Sequence, residues 1–310
     1  MDRISTSGLY NSVLSNLMTA ETNQLNASNQ VSTQKVATDL QGYGAGAATL
    51  TAMQTVQSQV TSYLDQSKVV ATKLTSQDTA LGQVASAASS ASTAITSAIG
   101  NGDASSLMQT LNVAYQNAAG GLNATFNGEY LFSGGQTSTP PVSATSLTAL
   151  ANAPTVAGVF HNGTYVSSAQ ISPTTSIKTG FLASSVGTPL FTVLQNIAAY
   201  NAGPNGPLSG TLTAAQTTFL QGQIAGLNAA STAATNVQAQ NGQLQSQVTD
   251  ATTDMTNQQT SLTTLIGNIT DANMAQASVN LQQAQLSVQA SAQILATLKS
   301  SSLVNLLPVG

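Results

Sequence analysis

The side chains able to do acid–base, nucleophilic or metal chemistry are few and scattered. The one histidine, His161, stands beside the turn-forming pair Asn162-Gly163. A Ser-His-Asp site would need its general base from this position, and no Gly-x-Ser-x-Gly elbow supports it. The spacing therefore predicts a surface histidine. The only glutamates, Glu21 and Glu129, lie far apart in the chain, a poor basis for a glycosidase pair. Asp250 and Asp254 stand one helical turn apart and could share a face, as a two-carboxylate metal or acid–base site requires; solvated helix positions are the simpler reading. Gly42-Tyr43-Gly44-Ala45-Gly46 is glycine-rich, but a helical pattern precedes it, where a dinucleotide-binding turn needs a strand. It reads as a flexible joint. With no cysteine there are no disulfides and no thiolate chemistry. No catalytic residue, metal ligand or cofactor-binding residue is expected.

The elements offer more information than the reactive groups. Charged residues make up 5% of the chain, against roughly 25% in ordinary soluble domains, while 41% is hydrophobic. Such a surface is weakly self-repelling, which suits assembly. The net charge is −4 with only six Lys and Arg, so no basic patch for nucleic acid or for a membrane surface can form. The first residues lack the apolar stretch of a secretory signal, and no apolar run is long enough to span a bilayer, so membrane insertion is not expected.

Apolar and small residues alternate in steps of three and four over three long stretches, the mark of a heptad seam. The first is Val13, Leu17, Ala20, Gln24, Ala27 and Val31, within a helix predicted over 1–40. The second runs from Leu50 to Ile99 and ends at Gly100-Asn101-Gly102, after which Asp103 is placed to cap a third helix reaching about Phe126. The third runs from Val237 through Val279 and Leu286 to Thr297 as one continuous helix. Between them, residues 127–212 hold seven of the eight prolines and many glycines and β-branched residues. Val159 to Val166, centred on Asn162-Gly163, is a hairpin signal.

The expected fold is mainly α with a β-rich insert. Long antiparallel, coiled-coil-like helices from both termini form a rod, and a small β domain projects from it. One amphipathic helix cannot bury its stripe alone, so the terminal helices must pack on each other. The division follows: 1–45 an N-terminal assembly helix, 46–138 the N-terminal part of the rod, 139–212 the β-rich outer insert, 213–265 the C-terminal part of the rod, and 266–310 a C-terminal assembly helix. Val13, Leu17, Val31, Val279, Leu286, Leu303, Leu306 and Leu307 are the candidate assembly-interface residues, because stripes this apolar should be covered in an assembled state.

Four segments carry a resemblance. Met1-Asp2-Arg3-Ile4-Ser5-Thr6 resembles the Met-Arg-Ile-Ser-Thr start of hook-associated protein 3, the filament-side hook–filament junction family of the bacterial flagellin superfamily. Asn127-Gly128-Glu129-Tyr130-Leu131-Phe132-Ser133-Gly134 is similar to that family's Asn-Gly-Arg-Tyr-Leu-Phe-Ser-Gly segment. Asp271-Ala272-Asn273-Met274-Ala275-Gln276-Ala277 resembles the stretch opening its last helix, and Ser302-Leu303-Val304-Asn305-Leu306-Leu307 its closing segment. The loop Asp39-Leu40-Gln41-Gly42-Tyr43-Gly44 departs from the family's Pro-Ser-Asp-Asp-Pro-like pattern. The resemblance implies a non-enzymatic, extracellular flagellar subunit, exported through the flagellar type III apparatus with a cytoplasmic chaperone. Its implied partners are copies of itself, the hook-side junction protein and flagellin. A divergent filament flagellin is the alternative; Gln289-Ala290-Ser291-Ala292-Gln293 stands near the place of a flagellin motif but lacks its proline. A secreted helical adhesin is the further alternative.

Overall fold

The computed structural model describes the backbone of residues 2–304 and the side-chain surroundings of residues 8–300. Seven helices dominate: α1 (Asp2–Thr33), α2 (Ala47–Asn101), α3 (Leu107–Leu122), α4 (Leu147–Ala151), α5 (Ala183–Ala202), α6 (Ala214–Thr270) and α7 (Met274–Val304). Two short antiparallel hairpins join them, β1 (Thr125–Phe126) with β2 (Glu129–Tyr130) and β3 (Ser168–Gln170) with β4 (Ser176–Lys178). The chain divides into two compact units, residues 1–59 with 258–310, and residues 60–257.

In the larger unit, α2 and α6 run antiparallel. Ser92 Oγ bonds Asn228 Oδ1 at 2.8 Å, Ser231 Oγ bonds the Ala85 carbonyl at 3.3 Å, and Asn241 Nδ2 bonds the Leu74 carbonyl at 2.8 Å. Every α2 residue of the predicted seam is buried or half-buried. A second buried row, including Val70, Gln77, Ala80, Val84, Ala87 and Ala91, lies beside it. This row exists because α2 is covered on two sides; Gly121 of α3 comes so close to the Ala80 carbonyl that a Cβ there would lie 2.8 Å from the oxygen. Asn241 is fully buried in the seam, and its bond to a backbone carbonyl favours one axial alignment of the two helices.

Residues 139–212 correct the expected β-rich insert. The three-residue strands β3 and β4 are the only paired strands described there, and the segment's largest element is the 20-residue helix α5. Pro189 lies inside α5, so the proline content misled. Val186, Leu190, Phe191, Leu194 and Ile197 keep the helical period and enter the same hydrophobic cluster as Leu81, Ile95, Tyr115 and Leu227. Burial at that spacing outweighs the cost of one proline. Tyr115 packs at 4.9 Å between ring centroids against Phe191, and its hydroxyl donates to the Ala144 carbonyl at 2.8 Å. Burial pushes the Tyr115 phenol up to about 12. The segment is thus tied into the common core rather than set apart from it.

Three local expectations also change. The hairpin is not at Asn162-Gly163, where the Gly163 N–H donates to the Ser133 carbonyl at 2.8 Å. The Asn-Gly turn belongs to Asn127-Gly128, with φ of 51° and 83°, joining β1 to β2. Positive φ at both central residues is what a tight hairpin demands. Asp103 does not cap α3; its carboxylate accepts from the Ser105 N–H at 2.7 Å and the Ser105 hydroxyl at 2.6 Å, and α3 begins at Leu107 after Ser106. Those bonds hold its carboxyl below the usual range. Finally, the C-terminal helical run is two helices, broken at Asp271-Ala272-Asn273.

Candidate assembly surface

In the smaller unit α1 and α7 pack together. At one end of the pair, both chain breaks meet. α1 stops at Gln34, whose φ is 58°, and α7 restarts after Asn273, whose Oδ1 accepts from the Gln276 N–H at 3.2 Å and caps the new helix. Between them the Val36 N–H donates to the Thr270 carbonyl at 2.8 Å, and the Ala272 N–H to the Gln34 carbonyl at 2.9 Å. Lys35 Nζ reaches Asp271 Oδ1 at 2.5 Å and Thr270 Oγ1 at 3.3 Å. The Lys35 bond, then the Thr270 hydroxyl, hold the Asp271 carboxyl below its usual range. The glycine-rich segment is a built turn rather than a loose joint. Asp39 Oδ1 accepts from the Gly42 N–H at 2.9 Å, Tyr43 donates its hydroxyl to the Ala37 carbonyl at 2.8 Å, and Gly44 sits at φ 51°.

On α1, Ala20 and Ala27 are buried, and Val13, Leu17, Gln24 and Val31 are half-buried, as the seam spacing predicts. On α7 the covered positions are Ala277, Leu281, Ala284, Val288, Ser291, Leu295 and Leu298. The sequence places the seam at Val279, Gln283 and Leu286 instead, and this is corrected. The count is already off before the break at 271–273: Leu265, on the same predicted row two heptads ahead of Val279, is 46% exposed while Ile266 beside it is half-buried. Val279 and Leu286 are 54% and 66% exposed, and with Ile294 they form an outward stripe on α7. α1 carries its own, Leu14, Met18 and Leu25, about 120° round the helix from the seam. Spacing of four and seven marks that second stripe in the sequence, but the stronger seam masked it. Of the eight expected interface residues, Val13, Leu17 and Val31 thus join α1 to α7, and Val279 and Leu286 face outward. Leu303, Leu306 and Leu307 lie outside the residues whose side chains are described, as does the whole Met1–Thr6 motif.

The groups singled out for chemistry do not converge. His161, Asp250, Asp254, Glu21 and Glu129 are all exposed, and among the described residues no three His, Cys, Asp or Glu side chains gather as a metal site. Among those residues, too, no helix is long and apolar enough to cross a membrane. The Asn127–Gly135 motif is architectural. Phe132 is fully buried, its carbonyl accepts from the Ala183 N–H at 3.0 Å, and Gly134 and Gly135 have φ of 62° and 96°. Gly134 lies against the Gly163 carbonyl where no side chain fits.

Comparison with known proteins places this arrangement. Residues 224–307 match the family model of the bacterial flagellin C-terminal helical region. A solved structure assigned as a flagellar hook-associated protein of Vibrio parahaemolyticus superposes with a TM-score of 0.59 at 13% identity, covering 73% of this chain and 97% of that one. FlgL of Bacillus cereus superposes with a TM-score of 0.53 at 15% identity, covering 70% and 99%. At these identities the likeness establishes the fold. No curated protein matches the chain.

Proposed function

We propose that this flagellin-like chain is a structural subunit of the bacterial flagellum that joins hook to filament, and that it assembles through the outward faces of its paired terminal helices. The observation carrying the reading is the pair of exposed stripes, Leu14, Met18 and Leu25 on α1 and Val279, Leu286 and Ile294 on α7, in a chain whose C-terminal part matches the flagellin model. Large apolar side chains repeated along one helix face are covered in a finished assembly. Val13, Leu17 and Val31 hold the helix pair together, and the outward stripes meet neighbouring copies, the hook-side junction protein and flagellin. Export proceeds through the flagellar type III system, with a chaperone covering the same stripes beforehand. Leu303, Leu306 and Leu307 extend the interface at the tail.

The test is electron microscopy of cells lacking the protein. Hooks without filaments, with flagellin shed into the medium, support the junction role. The match over 224–307 to a flagellin model favours one second reading, a divergent filament subunit. Bare hooks with no flagellin in the medium would select that reading. Normal filaments would defeat both.

A further inference from the structure

A cleft of about 330 Å³ opens in the larger unit, walled by Phe126 and Tyr130 of the first hairpin and by Tyr165 and Phe181, with Lys73 of α2 and Glu129 among its polar lining. It gathers four of the chain's thirteen aromatic rings. It also gathers exposed apolar surface. The large hydrophobic side chains most exposed in residues 60–257 are Val69, Val113, Tyr165 and Val166; Val69 and Tyr165 line the cleft, and Val166 adjoins Tyr165. Tyr165 is 65% exposed, held in place by its backbone N–H, which donates to the Gly134 carbonyl at 3.1 Å. A tyrosine fixed by its backbone and bare on its ring is a stacking surface without a partner.

Much of the polar lining is also unspent. Lys73 is half-buried and donates to Ser167 Oγ at 3.2 Å; among the described residues the ion pairs are Lys35–Asp271 and Lys68–Asp65, so no carboxylate pairs with it. Burial lowers the Lys73 ammonium from its ordinary value, and the nearby Glu129 charge acts the other way. The Glu129 carboxylate and the Tyr130 and Tyr165 hydroxyls carry no hydrogen bond among the described residues. One positive and one negative group leave the cleft without net charge, so an anion meets Glu129 and a cation meets Lys73 on unfavourable terms. A neutral polyol suits both, because each hydroxyl donates as well as accepts. Its apolar ring face suits the aromatic walls, and the volume stands at the small end of ligand pockets, roughly 300–1,000 Å³.

We propose that this cleft binds one neutral sugar ring, stacked on Tyr165 with its hydroxyls between Lys73 and Glu129. The sugar is either a free monosaccharide or the terminal residue of a surface glycan. The full chain is titrated with D-glucose, D-galactose, D-mannose and N-acetyl-D-glucosamine, each alone, and followed by NMR shifts. The expected result is saturable binding of at least one, at roughly millimolar Kd, weakened at least tenfold in Tyr165→Ala and Glu129→Gln variants that unfold at the wild-type temperature. Retention on the immobilised glycan, released by the free sugar, identifies a glycan end; binding of the free sugar without retention identifies the monosaccharide. No saturable response, undiminished binding by both variants, or shifts that follow protein concentration without sugar would each overturn the proposal, the last by showing that a second copy covers this face.

Discussion

Leu281 and Leu286 are five positions apart on one helix and have opposite surroundings. Leu281 is half-buried on the seam with α1, and Leu286 is 66% exposed on the far side. Leu286→Asp should leave the thermal unfolding of the purified monomer within a degree or so, since a solvated charge costs little there. Its incorporation into flagella should fall at least about tenfold, because burying a Leu contributes about 1.5–3 kcal/mol and an unpaired charge adds its own cost. Leu281→Asp should do the reverse first, lowering the helical content of the terminal pair seen by circular dichroism. Equal effects of the two changes on monomer melting would refute this division. At Gly134 two constraints coincide, a φ of 62° and the Gly163 carbonyl against the Cα. Gly134→Ala should destabilise the larger unit by more than about 1 kcal/mol, read from denaturant unfolding.

The joint of the smaller unit is where elements, rather than residues, decide behaviour. α1 and α7 each begin or end at a break, and the breaks are tied by two backbone bonds and the Lys35–Asp271 pair. Asp271 is held below its ordinary range in the folded state, so its contribution is complete above the unfolded value near 4 and is lost as pH falls through the lower folded value. Proteolysis between residues 34 and 46 should therefore accelerate as pH drops below about 4, using an acid-active protease, and Asp271→Asn should flatten that part of the profile. An unchanged profile in the variant would mean the pair does not hold the joint. The pair is exposed, so added salt should weaken it as well. The misplacement of the α7 stripe begins before the break at 271–273, at Gln258 and Leu265, which the heptad count puts on the seam and the structure leaves exposed.

At the scale of the molecule, the segment 139–212 has the composition of a detachable insert and the packing of a core element. Leu150, Phe191, Leu194 and Ile197 are each exposed by 0%, in one cluster with residues of α2, α3 and α6. Deleting residues 143–210 with a short linker should strip the packing from Tyr115 and Leu122 and abolish cooperative unfolding of the larger unit. A sharp thermal transition retained by the deletion variant would show that the long helices fold without it.

What the sequence by itself determined was the helical character of both ends and the inward faces of α1 and α2. That information is local: a period of three and four states which side is apolar, and α1 and α2 obey it residue by residue. The Asn-Gly chemistry was legible too, but five such pairs exist, and only the tertiary setting chose Asn127-Gly128, where strands of the right register flank the turn. The same holds for α5, whose proline and β-branched neighbours argue against a helix until the Tyr115 and Phe160 rings close over Phe191. The outward stripes on α1 and α7 belong to this second class. Whether an apolar residue is covered depends on which neighbouring helix arrives and in what phase, and the contacts that bring the terminal helices together, such as Lys35 to Asp271, join residues more than 230 positions apart.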